Sequence, residues 1–225
     1  MKPNHRARCA RINNALVKAY GAPEWPGPRD PLDVLMETVL GETTTDAKAE
    51  KAYASLRDSY ATWDALADGK VDSVARALRP GGLAKRKAKQ IIKLVRDIRK
   101  QYGAASLEFI KTMSVREAMR ALNGIEGVDP KTGAYVILFA LGREICPVNM
   151  HLHRILQRIG IFQKSLPLDE AFDVLQPLVP PGSSYAFHAN LIRLGREVCK
   201  AGKPRCGSCP VETECRYPSK TSSRR

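Results

Sequence analysis

Apolar residues recur at three- and four-residue intervals along most of the chain, which is the spacing of one helix face. The clearest case is residues 84–101, where an apolar stripe runs between charged positions and consists of Ile91, Leu94, Val95 and Ile98. No β-branched run alternates with polar residues between turn signals, as a strand would require. The pattern therefore predicts an all-α fold of roughly ten short helices.

Capping residues, proline and glycine set the limits of these helices. Pro31 suits the first turn of a helix, Asp46 suits a cap, and Ser114 with Glu117 forms a capping-box pattern. The predicted helices cover residues 31–40, 46–60, 84–101, 131–141, 148–159, 169–178 and 184–199, and shorter ones open at Thr62, Asp72 and Ser114. The stretch NGIEGVDP (123–130) predicts a tight hairpin between two of them.

The composition is that of a globular chain, with 225 residues of which 44% are hydrophobic and 27% charged. No apolar run reaches the roughly 18 residues that a membrane span needs, so we expect no membrane partner. The opening stretch MKPNHRARCARINN has no apolar core of the kind found in secretory signals. We therefore expect a cytoplasmic protein.

Positive charge is distributed unevenly along the chain, whose formal net charge is +14. Residues 79–100 carry nine basic residues and one acidic residue, and residues 193–225 carry nine and three. A charge run usually marks a solvated helix face, but KRKAK (85–89) begins a helix, where cations oppose the dipole. A polyanion such as nucleic-acid phosphate explains that placement better, so we predict phosphate contacts at Lys85, Arg86 and Lys87.

Four of the six cysteines fall close together in the spacing C-x6-C-x2-C-x5-C, namely Cys199, Cys206, Cys209 and Cys215. Disulfides would need an oxidising compartment, and the sequence shows no secretory signal that would indicate one. A zinc ribbon usually has two separated C-x2-C pairs, and only one is present. One compact loop of four thiolates favours a 4Fe–4S cluster. Cys9 and Cys146 are interpreted as buried thiols.

Five blocks of the sequence together resemble the endonuclease III family of DNA glycosylases, in the family's order from about residue 31 to 217. They are PLDVLMETVLGETTTDAKAEKAY (31–53), LRPGGLAKRKAKQII (78–92), IEGVDPKTGAYV (125–136), CPVNMHLHRILQRIG (146–160) and the cysteine loop with GKPRCGSCP. A lone hairpin or a lone C-x2-C pair would be a weak signal. Five ordered blocks are specific.

The resemblance implies a helix-hairpin-helix glycosylase fold with two helical domains and a DNA-binding cleft between them. Residues 31–142 would form a barrel-like domain, residues 1–30 with 143–217 an iron–sulfur domain, and residues 218–225 a disordered tail. The cluster would be mainly structural and would organise a basic loop that contacts phosphates through Lys200, Lys203 and Arg205. We expect the protein to act as a monomer.

The resemblance also assigns the chemistry. Lys131 matches the family's nucleophile, an amine that adds at C1′ of the sugar and forms a Schiff base; the alternative is a simple phosphate contact. The family carries a catalytic Asp where this chain has Asn149, and an amide has no useful basicity. Loss of general acid–base assistance typically slows a reaction by roughly 10²–10⁴.

Other positions matched to the family's DNA contacts also differ. Gly127 is present in the hairpin, but Asp129 replaces a second glycine and puts a carboxylate near the expected phosphate. Glu42 replaces a Gln that enters the gap left by a flipped base, where it could weaken insertion or change the opposite-base preference. Leu83 matches the apolar wedge on the other side of that gap.

Two functions follow from these residues. The first, which the resemblance implies, is base excision repair by a glycosylase with abasic-site lyase activity, weakened by Asn149. It would act on double-stranded DNA with a damaged base, an oxidised pyrimidine or a related lesion, or with an abasic site. The second is a catalytically impaired paralogue that binds such DNA without excising bases. A third reading, a changed substrate in a monofunctional enzyme, ranks low because such members keep the Asp and lack the Lys. DNA binding would place the protein at the nucleoid.

Overall fold

The structure is a computed structural model that describes residues 4–42, 44–82 and 85–217. Within those residues the secondary structure is helical and contains no strand, which confirms the all-α prediction. The chain divides into two compact units, one of residues 27–141 and one that combines residues up to 26 with those from 142 onward. No helix among the described residues is long and apolar enough to cross a membrane.

The first unit is a continuous stretch of chain with seven α-helices among its described residues. They are α2 (Pro31–Gly41), α3 (Asp46–Ser59), α4 (Trp63–Ala67), α5 (Val71–Ala77), α6 (Lys85–Tyr102), α7 (Val115–Asn123) and α8 (Pro130–Leu141). Helix α2 packs along α8 and α3, while α6 packs on α4 and α5. The predicted stripe of α6 is buried, because Ile91, Leu94, Val95 and Ile98 all face this core.

The starts of these helices follow the capping rules. Asp30 caps α2, since its Oδ1 accepts the backbone N–H groups of Leu32 at 2.7 Å and Asp33 at 3.2 Å. At the start of α7, Ser114 and Glu117 form the predicted capping box. The cap predicted at Asp46 is wrong: α3 begins at Asp46 itself, and the preceding residue, Thr45, makes no side-chain cap.

The second unit joins both ends of the described chain. Its helices are α1 (His5–Tyr20), α9 (Met150–Ile159), α10 (Ala171–Leu175) and α11 (Ser184–Glu197), followed by short 3-10 turns at Cys206–Ser208 and Glu212–Glu214. Cys9 and Cys146 are fully buried in its core, as predicted. Burial raises the pKa of the Cys9 thiol to about 11, which keeps it protonated at neutral pH.

Helix α1 is the one long element that the apolar pattern did not predict. Its core side chains are Cys9, Ile12 and Leu16, a narrow stripe in an otherwise polar and basic segment. Such a helix has little tendency to form alone and is stabilised by packing on its unit. Its importance comes from its arginines, which reach the cysteine loop.

Candidate functional site

Lys131 occupies the first turn of α8, immediately after the hairpin that follows α7. Gly127 in that hairpin has φ +89°, a backbone conformation that glycine adopts without strain. The Lys131 side chain is half-buried, and it makes no hydrogen bond or ion pair with the residues that the structure describes. A partly buried amine that no carboxylate holds is available for nucleophilic attack.

Asp129 sits at the cap of the same helix. Its Oδ1 accepts the backbone N–H of Thr132 at 2.7 Å, and its backbone carbonyl accepts that of Gly133 at 2.9 Å. The carboxylate that the sequence placed near an expected phosphate therefore already occupies the positive end of α8.

Glu42 and Lys87 form an ion pair at the C-terminal end of α2. Lys87 Nζ donates to Glu42 Oε2 at 3.1 Å and to the carbonyl of Val39 at 2.9 Å, and the lysine is only 7% exposed. This placement does not support the phosphate contact predicted for Lys87, because its ammonium is buried and committed to two acceptors. The pair partly neutralises Glu42, which reduces its repulsion from a polyanion.

The other predicted contacts of this unit are exposed. Lys85 pairs with Asp72 at 2.5 Å, whereas Arg86 makes no ion pair with the described part of the chain. Leu83 lies outside the described residues.

Asn149 is the N-cap of α9 in the second unit. Its Oδ1 accepts the backbone N–H groups of His151 at 3.0 Å and Leu152 at 3.1 Å. Capping takes up the amide oxygen, so the other polar atom of the side chain is Nδ2, a donor that cannot accept a proton. An Asp in the same place would keep the cap and put a carboxylate oxygen where Nδ2 lies.

The segment before Asn149 is held by two polar side chains, Gln176, which is partly buried, and His188, which is buried. The Gln176 amide donates to the carbonyl of Cys146 and accepts its N–H, each at 2.9 Å. The ring Nδ1 of His188 lies 3.0 Å from the carbonyl of Pro147. Burial lowers the pKa of His188 to about 4, so the ring is neutral at pH 7 and donates this bond from Nδ1–H. Hydrogen bonds therefore fix the backbone of Cys146 and Pro147 just before Asn149.

The four cysteines of the predicted metal site line one pocket of ≈ 430 Å³ that is partly open to solvent. Apolar side chains complete its wall, including Ile155, Ile159, Leu194, Val198 and Val211. Four soft donors in an apolar pocket fit an iron–sulfur cluster. Even so, no group of three or more His, Cys, Asp or Glu side chains among the described residues is drawn together closely enough to hold a metal ion.

Arginines that the sequence reasoning missed tie the cysteine loop to α9. Arg158 donates to the carbonyls of Lys200 and Ala201, each at 2.7 Å, and its Nη1 lies 3.4 Å from Cys199 Sγ. Arg154, one helical turn earlier, donates to the carbonyl of Cys199 at 3.0 Å. The i,i+4 spacing of the two arginines was a signal that both lie on one face. The loop's basic side chains, Lys200, Lys203 and Arg205, are exposed.

A third arginine, Arg8 of α1, closes the last turn of α9. It is 7% exposed and donates to the carbonyls of Ile159 at 2.9 Å, Gly160 at 3.1 Å and Glu214 at 2.6 Å. Arg11 pairs with the Glu214 carboxylate from the surface, which lowers the pKa of that carboxyl. No local pattern could reveal contacts between residues so far apart in the sequence.

The comparisons with known proteins agree with this arrangement. The family described as HhH-GPD superfamily base excision DNA repair protein matches residues 36–180. Endonuclease III of Escherichia coli (strain K12) is 31% identical over 190 residues, 84% of this chain and 85% of that protein. Endonuclease III of Thermotoga maritima is 28% identical over 188 residues, 84% of each chain.

Solved structures are similar over nearly the whole length. A non-covalent endonuclease III–DNA complex aligns with a TM-score of 0.80 at 25% identity and covers 96% of this chain and 98% of that one. A thermostable thymine-DNA glycosylase aligns with the same TM-score at 21% identity, covering 95% and 98%, which supports the fold alone.

Replacing Arg8 with Met should lower the free energy of unfolding by about 2–3 kcal/mol, because three buried or partly buried carbonyls lose a charged donor. Arg11→Gln is the matched control, since it removes an arginine from the same Glu214 but at a side chain that is 56% exposed. That change should cost much less, because solvent screens an ion pair at the surface. Urea unfolding measures both, and equal losses would contradict the assignment of Arg8.

Proposed function

Because the chain belongs to the HhH-GPD superfamily of base excision DNA repair proteins, and to its endonuclease III members, we propose that it is a DNA glycosylase with abasic-site lyase activity. Its substrate is double-stranded DNA with a damaged base or an abasic site. The observation that carries this function is Lys131, a half-buried amine in the first turn of α8 with no side-chain partner among the described residues.

The reaction at an abasic site begins with the open-chain sugar aldehyde. The neutral Lys131 amine attacks C1′, and loss of one water molecule gives a Schiff base. The iminium withdraws electrons, which makes the proton on C2′ acidic and allows the 3′ phosphate to leave by β-elimination. No nucleobase has to be expelled in this route, because an abasic site has already lost it.

Excision of a damaged base makes an additional demand. The sugar gains positive charge as the base leaves, and a carboxylate at position 149 would stabilise that charge and accept a proton. Asn149 offers Nδ2 instead, because its oxygen caps α9. We therefore assign base excision as the weakened step and abasic-site cleavage as the better preserved one.

The remaining site residues divide between DNA contacts and cofactor ligands. Phosphate contacts are assigned to two residues at the start of α6 in the first unit, Lys85 and Arg86. Three more are assigned to the cysteine loop, at Lys200, Lys203 and Arg205. Cys199, Cys206, Cys209 and Cys215 would hold a 4Fe–4S cluster. The cluster would supply a covalent crosslink that holds the loop, alongside the arginines of α9 and α1.

Borohydride trapping tests the nucleophile. Wild type incubated with a duplex containing one abasic site should give a covalent adduct, because reduction turns the Schiff base into a stable amine. Lys131→Arg should bind the same duplex with similar affinity and give no adduct, since a guanidinium keeps the charge but does not lose its proton.

That pair of variants separates the two roles of the lysine. An adduct that persists in Lys131→Arg places the nucleophile elsewhere. No adduct with wild type, despite tight and salt-sensitive binding, identifies a protein that binds damaged DNA without cleaving it.

Asn149→Asp should raise the rate of base excision by roughly 10²–10⁴, because it restores a general base while keeping the cap of α9. The free energy of unfolding should stay within about 1 kcal/mol, since Asp is also favourable at a helix N-terminus. Single-turnover assays on a duplex with an oxidised pyrimidine measure the change. Unchanged excision, with folding and DNA binding intact, would contradict the role given to Asn149.

The cofactor can be tested on the purified protein without any activity assay. We expect a brown protein that contains iron and acid-labile sulfide in the proportion of one 4Fe–4S cluster per chain. Cys206→Ser should lose iron, whereas Cys146→Ala should retain it, because Cys146 is buried in the core and does not line the pocket. A colourless protein with stoichiometric zinc would overturn the cluster assignment.

A further inference from the structure

The start of α8 would ordinarily be a place for a phosphate. Backbone N–H groups at a helix N-terminus after a glycine-bearing turn point outward and carry partial positive charge. In this chain two of the first N–H groups are not available to a phosphate. Pro130, the first helical residue, has no N–H, and the N–H of Thr132 donates to Asp129 Oδ1 at 2.7 Å. The N–H of Gly133 makes the first ordinary helical bond, to the Asp129 carbonyl at 2.9 Å.

The same arrangement occurs at α2, where Asp30 precedes Pro31 and its carboxylate takes the N–H of Leu32 at 2.7 Å. An Asp-Pro pair at a helix start is thus a self-sufficient cap, with the proline in the first turn and the carboxylate on the donors. At α8 the cap stands directly beside Lys131, the residue that must reach the DNA.

The hairpin also carries negative charge on its exposed side. Glu126 is exposed, and its carboxylate pairs with Lys93 at 2.6 Å. Asp129 is exposed as well, so two carboxylates border the turn around Gly127. An approaching phosphate would meet like charge at both positions.

Positive charge is concentrated instead at the start of α6, in the same unit. Arg86 and Lys89 are exposed, and neither makes an ion pair or hydrogen bond within the residues that the structure describes. Lys85 is also exposed but is paired with Asp72. The pKa of Asp72 is lowered mainly by Lys85, and Arg76 and Lys89 act in the same direction.

We propose that Asp129 closes the anion site at the start of α8 with its own carboxylate, and that Arg86 and Lys89 at the start of α6 take over the contact with the DNA backbone. This inference rests on the proposed DNA-binding function and states where the duplex is held. The hairpin then positions Lys131 and contributes little to affinity. Within this unit, binding strength and its salt dependence come mainly from α6.

Three hairpin variants test the first half of the proposal. Asp129→Gly removes both the carboxylate and the cap, Asp129→Asn keeps a cap without the charge, and Glu126→Gln removes one charge from the same turn away from the helix end. The measurement is the affinity for a duplex with a stable abasic-site analogue, at several salt concentrations. Asp129→Gly should bind roughly tenfold more tightly, because the N–H groups of α8 become available to phosphate.

Asp129→Asn should gain less than Asp129→Gly, since its amide oxygen still occupies the donors, and Glu126→Gln should gain least. Equal gains in Glu126→Gln and Asp129→Gly would show a general charge effect and overturn the capped anion site. No gain in Asp129→Gly, with its fold confirmed by circular dichroism, would overturn it too.

The second half is tested by Arg86→Gln with Lys89→Gln. Each lost phosphate contact should reduce the slope of log K against log salt by about 0.9, so the double variant should lose about 1.8. An unchanged slope would overturn the role of α6. Failure of the underlying function looks different, because wild type would then show no salt-sensitive binding to the duplex at all.

Discussion

The oxygen of Asn149 is committed to the backbone of α9, and this cap constrains the chemistry of the whole second unit. One atom of the side chain must hold the first turn of the helix through the N–H groups of His151 and Leu152. The other atom is the one that differs between an Asn and an Asp at that position. A carboxylate can cap with one oxygen and act as a base with the other, whereas an amide that caps with its oxygen is left with a donor. Asn149 therefore completes the cap of α9, and under the proposed function the consequence of the amide falls on base excision.

Helix α9 connects that cap to the cysteine loop. Arg154 and Arg158 donate hydrogen bonds to loop carbonyls, those of Cys199, Lys200 and Ala201. Arg8 donates to carbonyls of both the last turn of α9 and Glu214. The loop is thus held by hydrogen bonds at both ends of its cysteine series. At α8 a capping side chain again occupies a donor of the first turn, since Asp129 accepts the N–H of Thr132 next to Lys131. At the starts of α8 and α9, the residue that caps the helix therefore stands beside, or is itself, a residue to which we assign a role in the reaction.

Local patterns predicted much of this architecture. The stripe of α6 and the capping box of α7 were readable because they depend on neighbouring residues. Lys87 shows how a charge run can mislead. It belongs to the basic run KRKAK, which predicted an exposed phosphate contact, but it lies four residues before Ile91 and so on the buried face of α6. Its position on the helix face decides its burial, and its place in the charge run does not. Asp129 before Pro130 also carried a readable capping signal. The contacts of Arg8 could not be predicted, because they join α1 to residues more than a hundred positions away.

The central claim is that this chain keeps the nucleophile for abasic-site cleavage while the cap of α9 handicaps base excision. The most direct measurement compares single-turnover rates of strand cleavage by wild type on two duplexes that differ only at one position, an abasic site or an oxidised pyrimidine. The account predicts that the abasic duplex is cleaved faster by roughly 10² or more, the usual contribution of an acid–base group. Equal rates on the two duplexes would contradict it, because base excision would then proceed without the carboxylate that Asn149 replaces.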